Sequence, residues 1–278
     1  MTRPTRLVLL GTPVAHSLSP IFQQAALVAA GIPISYDALD VAASDLDAVL
    51  AQLSLDGAAG NVTVPHKIAV YDRCAVRTAI AQRAGAVNTF WFADGTLHGD
   101  NTDVGGFTAA VDALRGDSPL PTNIVLLGAG GAAAAVCTAA EAWGATSIQV
   151  VARSRGAAHR LAARFPQLVS IVESVDAVQH DRQRPRRAAP GPTMFVNATP
   201  IGLGDTDDAP IDGRLLPSDA IVLDLAYRRG ETQFVRDARA AGHRAADGLG
   251  MLLEQGALAF ERWFGVTPDR DAMRRSVA

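Results

Sequence analysis

Lysine occurs once in this chain of 278 residues, at position 67, within a total of 25 lysines and arginines. An arginine guanidinium keeps its proton, whereas a lysine ammonium moved into a low-dielectric setting has its pKa lowered and can exchange one. Lys67 ends the segment G-N-V-T-V-P-H-K, Gly60 to Lys67. Polar Asn61 and Thr63 at a strand end, followed by a turn-forming Pro65, bring a hydroxyl and an amine to the top of a sheet, where α/β proteins bind ligands. Lys67 is therefore either a solvated surface charge or an acid/base group. A carboxylate meeting that amine at one hydroxyl would complete an acid/base pair. Asp103, in G-D-N-T-D-V-G-G (Gly99–Gly106), supplies one, unless its carboxylate serves only to cap the helix that follows. Asn88, in G-A-V-N-T (Gly85–Thr89), offers amide donors and an acceptor.

A second polar group lies in G-T-P-V-A-H-S-L-S-P, Gly11 to Pro20. Ser19 followed by Pro20 has the pattern of an N-cap with proline in the first helical turn. Capping does not explain Ser17. Two hydroxyls two residues apart beside a helix N-terminus can both donate to a carboxylate, and the helix dipole favours that negative charge.

The stretch N-I-V-L-L-G-A-G-G-A-A-A-A, Asn123 to Ala135, runs from an apolar segment into glycines and then alanines. It reads as a buried strand, a tight turn and a helix start. Gly128 allows the turn, Gly130 lets backbone N–H groups approach a pyrophosphate, and the small Ala133 permits close helix-to-strand packing. The plainer reading is a glycine-rich loop before an alanine-rich helix.

The elements that must hold these residues follow from the patterning. Before residue 103 short strands and helices alternate: Arg6–Leu10, a helix from about Pro20 to Ala30, Ile34–Asp40, a helix through Leu46–Leu53, then Asn61–Val64. Thr89–Phe92, Asp94-Gly95 and Thr96–His98 form a hairpin pattern, because Asp-Gly supplies the positive φ angles of its turn. A helix from about Asp103 to Arg115 hands over through the connector Gly116–Thr122. After the glycine turn we expect a helix to Trp143, a strand Ser147–Val151, a helix to Phe165, strands near Thr193–Val196 and Ile221–Asp224, and a helix at Thr232–Ala241. Such alternation makes a parallel sheet. The apolar helix Met251–Trp263, starting after Gly248 and Gly250, is expected to cross back and pack on the first domain.

Composition narrows the function classes. The chain is 49% hydrophobic, with Lys+Arg 25 against Asp+Glu 28 and a net charge of −3, and its mean hydropathy is +0.15. That is enough apolar material for two domains of a soluble protein, and it carries no electrostatic footprint for nucleic acid or an anionic membrane. No apolar run reaches the roughly 18 to 20 residues that span a bilayer, and the first residues show no cleavable signal pattern, so the expected location is the cytoplasm. Cys74 and Cys137 form no C-x-x-C and read as inert thiols, and six scattered histidines show no ligand spacing, so no metal site is expected. Arg182, Arg184, Arg186 and Arg187 lie among prolines between Asp181 and Pro192. They read as a solvated loop, with a polyanion contact as the alternative.

Taken in order, these motifs resemble the shikimate dehydrogenase family over nearly the whole chain. The likeness includes the serine pair, N-V-T-x-P-x-K, G-A-V-N-T, D-N-T-D, the G-A-G-G-A turn, N-A-T-P at Asn197–Pro200 and D-G-L-G-M-L-L-E-Q-G-A-L-A-F at Asp247–Phe260. It implies an N-terminal α/β substrate domain and a doubly wound Rossmann-type domain with a cleft between them. The substrate-binding and catalytic domain is expected over 1–102 plus 248–278, and the NADP-binding domain over 103–247. The activity implied is reversible NADPH-dependent reduction of 3-dehydroshikimate to shikimate, a step toward chorismate and the aromatic amino acids. Ser17 and Ser19 would hold the substrate carboxylate. Thr63, Asn88, Asp103, Tyr227 and Gln255 would contact the remaining hydroxyls, with Lys67 and Asp103 as the catalytic pair. Quinate/shikimate or aminoshikimate dehydrogenase is the runner-up, and a non-catalytic member of the family a further alternative. The partners expected are small molecules only, with neither nucleic acid nor membrane, for a monomer or homodimer.

The cofactor contacts implied are Gly128, Ala129, Gly130, Gly131 and Ala132 at the turn, Ala152, Arg153, Ser154 and Arg155 after the next strand, and Thr199, Leu225 and Gly248 beyond. NAD-specific domains place Asp or Glu about 20 residues past the turn. Here that place reads V-A-R-S-R, Val151 to Arg155, with no acid and two arginines, which suits a 2′-phosphate. The family's N-R-T-x-x-R/K pattern is matched only in part, with Ala152 for Asn, Ser154 for Thr and Ala157 at the last basic position. NADP is the cofactor expected, with NAD as a secondary one.

Overall fold

The computed structural model describes residues 3–175, 192–204, 208–228 and 230–278. Arg182, Arg184, Arg186 and Arg187 therefore lie outside the described residues. The chain divides into two compact units, Met1–Gly106 with Leu252–Ala278, and Phe107–Met251.

In the first unit the elements run β1 (Leu7–Gly11), α1 (Ser19–Ala29), β2 (Tyr36–Asp40), α2 (Leu46–Leu55), β3 (Ala59–Val62), α3 (Lys67–Arg73), β4 (Val76–Arg77), α4 (Ala79–Ala84), β5 (Thr89–Ala93) and β6 (Thr96–Asp100). Its sheet order is β2-β1-β3-β5-β6-β4. All five residues of β1 are buried, as a strand covered on both faces requires, and it pairs parallel with β2 and β3. β5 runs antiparallel to both β3 and β6. The reversal is local in origin: Asp94 (φ 50°) and Gly95 (φ 72°) form the two-residue turn that the Asp-Gly pair anticipates. Val8, Leu10, Leu46, Leu53 and Phe90 share one core cluster on this sheet.

Two readings of this unit need correcting. The strand expected at Asn61–Val64 is Ala59–Val62. From Thr63 the chain turns, the His66 N–H donating to the Thr63 carbonyl at 2.9 Å. Pro65 has no N–H to continue a ladder, so the strand stops short of it. Ser19 is not the N-cap of α1; it is the first helical residue, Leu18 is the cap, and no side-chain cap bond is made there. Instead the Ser17 hydroxyl oxygen accepts the Ser19 N–H at 3.2 Å, so the residue that capping seemed not to explain takes up the first free amide.

The second unit continues from α5 (Asp103–Arg115) through β7 (Asn123–Leu127), α6 (Gly131–Ala142), β8 (Ser147–Val151), α7 (Arg155–Arg164), β9 (Val169–Ile171), β10 (Thr193–Asn197), a short 3-10 turn Gly213–Leu215, β11 (Ile221–Asp224), α8 (Gln233–Ala240) and β12 (Arg244–Ala246). Its sheet order is β12-β11-β10-β7-β8-β9, every pair parallel. With β7 taken as the first strand this is the order 3-2-1-4-5-6 of a dinucleotide-binding sheet. Val125, Phe195, Val222, Phe234 and Val235 pack one of its faces.

The chain then enters α9 (Leu249–Phe264) and α10 (Arg270–Ser276). The α9 helix starts two residues earlier than the sequence suggested, ahead of Gly250, because the Asp247 carboxylate accepts the Leu249 N–H at 3.1 Å. From Leu252 onward it belongs to the first unit, where the Gln23 side chain donates to the Gly256 carbonyl at 2.9 Å and the Trp263 indole to the Phe90 carbonyl at 3.1 Å. The division falls inside α5 and α9, so Asp103 counts with the first unit and Gly248 with the second. Among the described residues no helix is long and apolar enough to cross a membrane.

Candidate active site

In the first unit three element ends converge. Lys67 is the first residue of α3, Asp103 the first of α5, and Asn88 immediately precedes β5. The Lys67 ammonium donates to Asp103 Oδ2 at 2.6 Å, with the two side chains 14% and 6% exposed. A cation on the first turn of a helix opposes the macrodipole, whereas a carboxylate there is favoured, so Asp103 supplies the partner that Lys67's own helix cannot. With little water between them the two charges are weakly screened.

Asn88 ties the pair to the rest of the unit. Its amide nitrogen donates to Asp103 Oδ1 at 2.8 Å, and is also 2.9 Å from Thr102 Oγ1 and 3.0 Å from Gln255 Oε1. Two hydrogens face three acceptors, so one is shared. Asn88 Oδ1 accepts the Thr102 N–H at 2.7 Å and the Thr89 hydroxyl at 3.1 Å. The Gln255 amide nitrogen is turned to the Leu252 carbonyl, 2.8 Å away. Four of the expected residues, Lys67, Asn88, Asp103 and Gln255, thus form one hydrogen-bonded cluster. Thr63 sits in the turn before Lys67, half-buried, its N–H donating to the Leu10 carbonyl at 2.8 Å. Ser17 is half-buried and Ser19 buried, and among the described residues neither shares a hydrogen bond with the cluster.

Sequence reasoning passed over two supports. His66, 1% exposed, places its imidazole Nε2 2.6 Å from the Val41 carbonyl and so anchors the residue before Lys67. Asp100 accepts from the Thr78 hydroxyl, from the Asn101 N–H at 2.8 Å and from the Arg262 guanidinium at 2.8 Å, which locks the end of β6 from which Thr102 and Asp103 follow. The G-D-N-T-D motif contains both aspartates, and its first one is the signal for this support.

In the second unit the glycine turn follows β7. Gly128 has φ 104°, and a Cβ there would lie 2.8 Å from the Ala198 carbonyl oxygen, so no other residue fits. Gly130 is the N-cap of α6, makes no side-chain cap bond, and a Cβ built on it meets nothing within 4 Å. Backbone amides at a helix start with open space before them suit the diphosphate of a dinucleotide. Ala133 is fully buried, as close packing of α6 demands.

After β8, Ala152 is half-buried and Arg153 exposed; Ser154 caps α7 by accepting the Ala157 N–H at 3.3 Å. Arg155 lies 3.8 Å from Glu173 with both side chains mostly in water (83% and 90% exposed), a pair weak enough to exchange for a phosphate. Thr199 donates its hydroxyl to Asn197 Oδ1 at 2.6 Å, Leu225 donates its N–H to the Asn197 carbonyl, and Gly248 to the Ala226 carbonyl at 3.0 Å. Tyr227 stands in the same segment after β11. Among the described residues no group of three or more His, Cys, Asp or Glu could hold a metal ion.

Family models match at both ends of the chain: the shikimate dehydrogenase substrate binding domain over residues 9–90 and the shikimate 5'-dehydrogenase C-terminal domain over 248–278. The shikimate dehydrogenase (NADP(+)) of Mesorhizobium japonicum is 39% identical over 268 residues, 96% of this chain and 93% of the relative. The chain belongs to the shikimate dehydrogenase family. The family's enzyme from Thermus thermophilus, solved in complex with NADP(H) and shikimate, is 36% identical with a TM-score of 0.83 over 98% of this chain and 97% of that one. A 5-ketofructose reductase from Gluconobacter is also similar, at 31% identity and a TM-score of 0.81 over 99% and 98% of the two chains. Lys67 and Asn88 fall within the first matched segment and Gln255 within the second.

Proposed function

We propose that this family member reduces 3-dehydroshikimate to shikimate, reversibly and with NADPH, using Lys67 and Asp103 as its acid/base pair. The observation that carries the chemistry is the 2.6 Å contact between Lys67 and a largely buried Asp103. Bound NADPH supplies the hydride that reaches the carbonyl carbon. As the carbonyl oxygen gains electron density, the Lys67 ammonium gives it a proton, and in the oxidative direction the neutral amine takes the hydroxyl proton back. Asp103 holds Nζ in place and steadies its positive charge, while Asn88 fixes the other carboxylate oxygen. Ser17 and Ser19 bind the substrate carboxylate at the start of α1, and Thr63, Asn88, Tyr227 and Gln255 read its hydroxyls.

The first unit is thereby the substrate-binding one and the second holds the dinucleotide. Gly128, whose N–H goes to the Val151 carbonyl, makes the turn, and Ala129 to Ala132 offer backbone amides to the diphosphate. Arg153 and Arg155 offer their guanidiniums to the 2′-phosphate of NADP, the exposed Arg155–Glu173 pair giving way to it. Thr199, Leu225 and Gly248 complete the cofactor contacts. The same reading places the enzyme in the cytoplasm, acting on small molecules as a monomer or homodimer.

The test mixes purified protein with shikimate or quinate and NADP+ or NAD+ and follows the absorbance of reduced nicotinamide. Turnover chiefly with shikimate and NADP+ is expected. Preference for quinate would overturn the role given to Ser19, equal kcat/KM with NAD+ the role given to the arginines, and no turnover with any pair the proposed activity itself.

A further inference from the structure

The adjoining ends of β10 and β11 carry a buried carboxylate that no step above uses. Asp224, the last residue of β11, and Asn197, the last of β10, face each other in the parallel ladder, and both are 0% exposed. Asn197 donates its amide hydrogens to Asp224 Oδ1 and to the Ile201 carbonyl, each at 2.8 Å. Its own oxygen accepts the Thr199 N–H at 3.0 Å and hydroxyl at 2.6 Å. Asp224 Oδ1 also accepts the Ala226 N–H at 3.1 Å. One side-chain pair therefore folds back both segments that leave the strands: residues 198–201, with Thr199, and 225–227, with Leu225 and Tyr227. These are the carboxyl ends of parallel strands, the edge at which α/β sheets bind ligands.

The carboxylate is a costly choice for that position. Burial pushes its pKa up against the hydrogen bonds from Asn197 and the Ala226 N–H, and the like charge of Asp247 pushes the same way. A site that needed only to be filled would be better served by an apolar residue of similar volume.

We propose that Asp224 is a positioning residue for the reaction: through Asn197 it sets the Thr199 segment and through the Ala226 N–H the Leu225–Tyr227 segment, so that one carboxylate orders both cofactor and substrate contacts. This rests on the roles given above to Thr199, Leu225 and Tyr227.

The test compares the wild type with Asp224→Ala, Asp224→Asn and Asn197→Ala by steady-state kinetics, calorimetric NADP+ titration and circular dichroism. Asp224→Ala should raise KM for both NADP+ and shikimate about tenfold and weaken NADP+ binding about tenfold, the size of one lost charge-assisted hydrogen bond. Asp224→Asn keeps an oxygen that can accept from Asn197 and Ala226 and should stay within about threefold of wild type. Asn197→Ala releases Thr199 but leaves Asp224 on Ala226, so it should raise the NADP+ KM alone, and it decides the matter should Asp224→Ala not fold. A purely structural residue would lower the folded fraction, and with it the apparent kcat, while leaving both KM values and the NADP+ affinity in place. That pattern overturns the proposal, as does an Asp224→Asn variant as impaired as Asp224→Ala. A wild type that binds NADP+ without oxidising shikimate would sink the proposed activity, and the calorimetric comparison would still decide the role of Asp224.

Discussion

Around Asp103 both carboxylate oxygens are taken by protein donors, Lys67 on one and Asn88 on the other. At the start of α6, by contrast, no side chain caps the backbone amides, and Arg153 and Arg155 reach into water. The first region is organised before any ligand arrives, which is what a proton transfer needs, because a donor displaced by an ångström loses much of its rate. The second keeps its donors uncapped or, at Arg155, only loosely paired with Glu173 in water, which is what capture of a charged, exchangeable cofactor needs. On the proposed roles, chemistry is set by a closed hydrogen-bond cluster and cofactor choice by open groups.

The contrast breaks most visibly at Lys67. Lys67→Ala should lower kcat roughly 10²–10⁴-fold with little change in the shikimate KM, measured by steady-state oxidation; a change confined to KM would make Lys67 a binding residue instead. Next comes Asn88→Ala, which frees Asp103 Oδ1 and orphans the Thr102 N–H. We expect kcat/KM to fall about 10²-fold, together with a lower melting temperature, since each buried polar group left unpaired costs about 1–3 kcal/mol. On the open side the effects should be smaller and cofactor-specific. Arg153→Ala should raise the NADP+ KM about tenfold and leave the NAD+ KM unchanged, with Arg155→Ala doing the same to a lesser degree; parallel changes for both cofactors would rule out a 2′-phosphate contact. The smallest effect is expected far from either region. Burial pushes the Cys74 thiol up to about 11, and both cysteines are buried. At pH 8 a thiolate-seeking reagent should therefore label neither cysteine in the folded protein and both after denaturation.

The two regions also differed in how far they could be read from the chain. The dinucleotide sheet was legible because its signals are local: an apolar run, Gly128 with a φ only glycine tolerates, and regular strand–helix alternation. The hairpin was legible through Asp94-Gly95 for the same reason. Elements without local periodicity were passed over, among them the two-residue β4, the three-residue β9 and β12, and α4 with its six residues, although Thr78 caps α4 and Gly85 ends it. The cluster was legible in its membership but not in its wiring. Lys67, Asn88, Asp103 and Gln255 were all expected at a substrate, yet nothing in their spacing says that Asn88 would divide its amide hydrogens among residues 14, 15 and 167 positions away. Asp100 and His66 escaped because their partners, Arg262 and Val41, lie 162 and 25 positions away, beyond any local pattern. At Ser19 the cap pattern misled, since a serine before a proline fits the first helical residue as well as the residue ahead of it.

The return of α9 to the first unit has a consequence in time. Asn88 and Phe90 are made when less than a third of the chain has been synthesised, whereas their partners Gln255 and Trp263 come near its end. The second unit is one continuous stretch and can be completed as it emerges from the ribosome. The first unit is made first and finished last: the Asn88–Gln255 bond waits until the whole dinucleotide domain has been produced, so the order of assembly is the reverse of the order of synthesis.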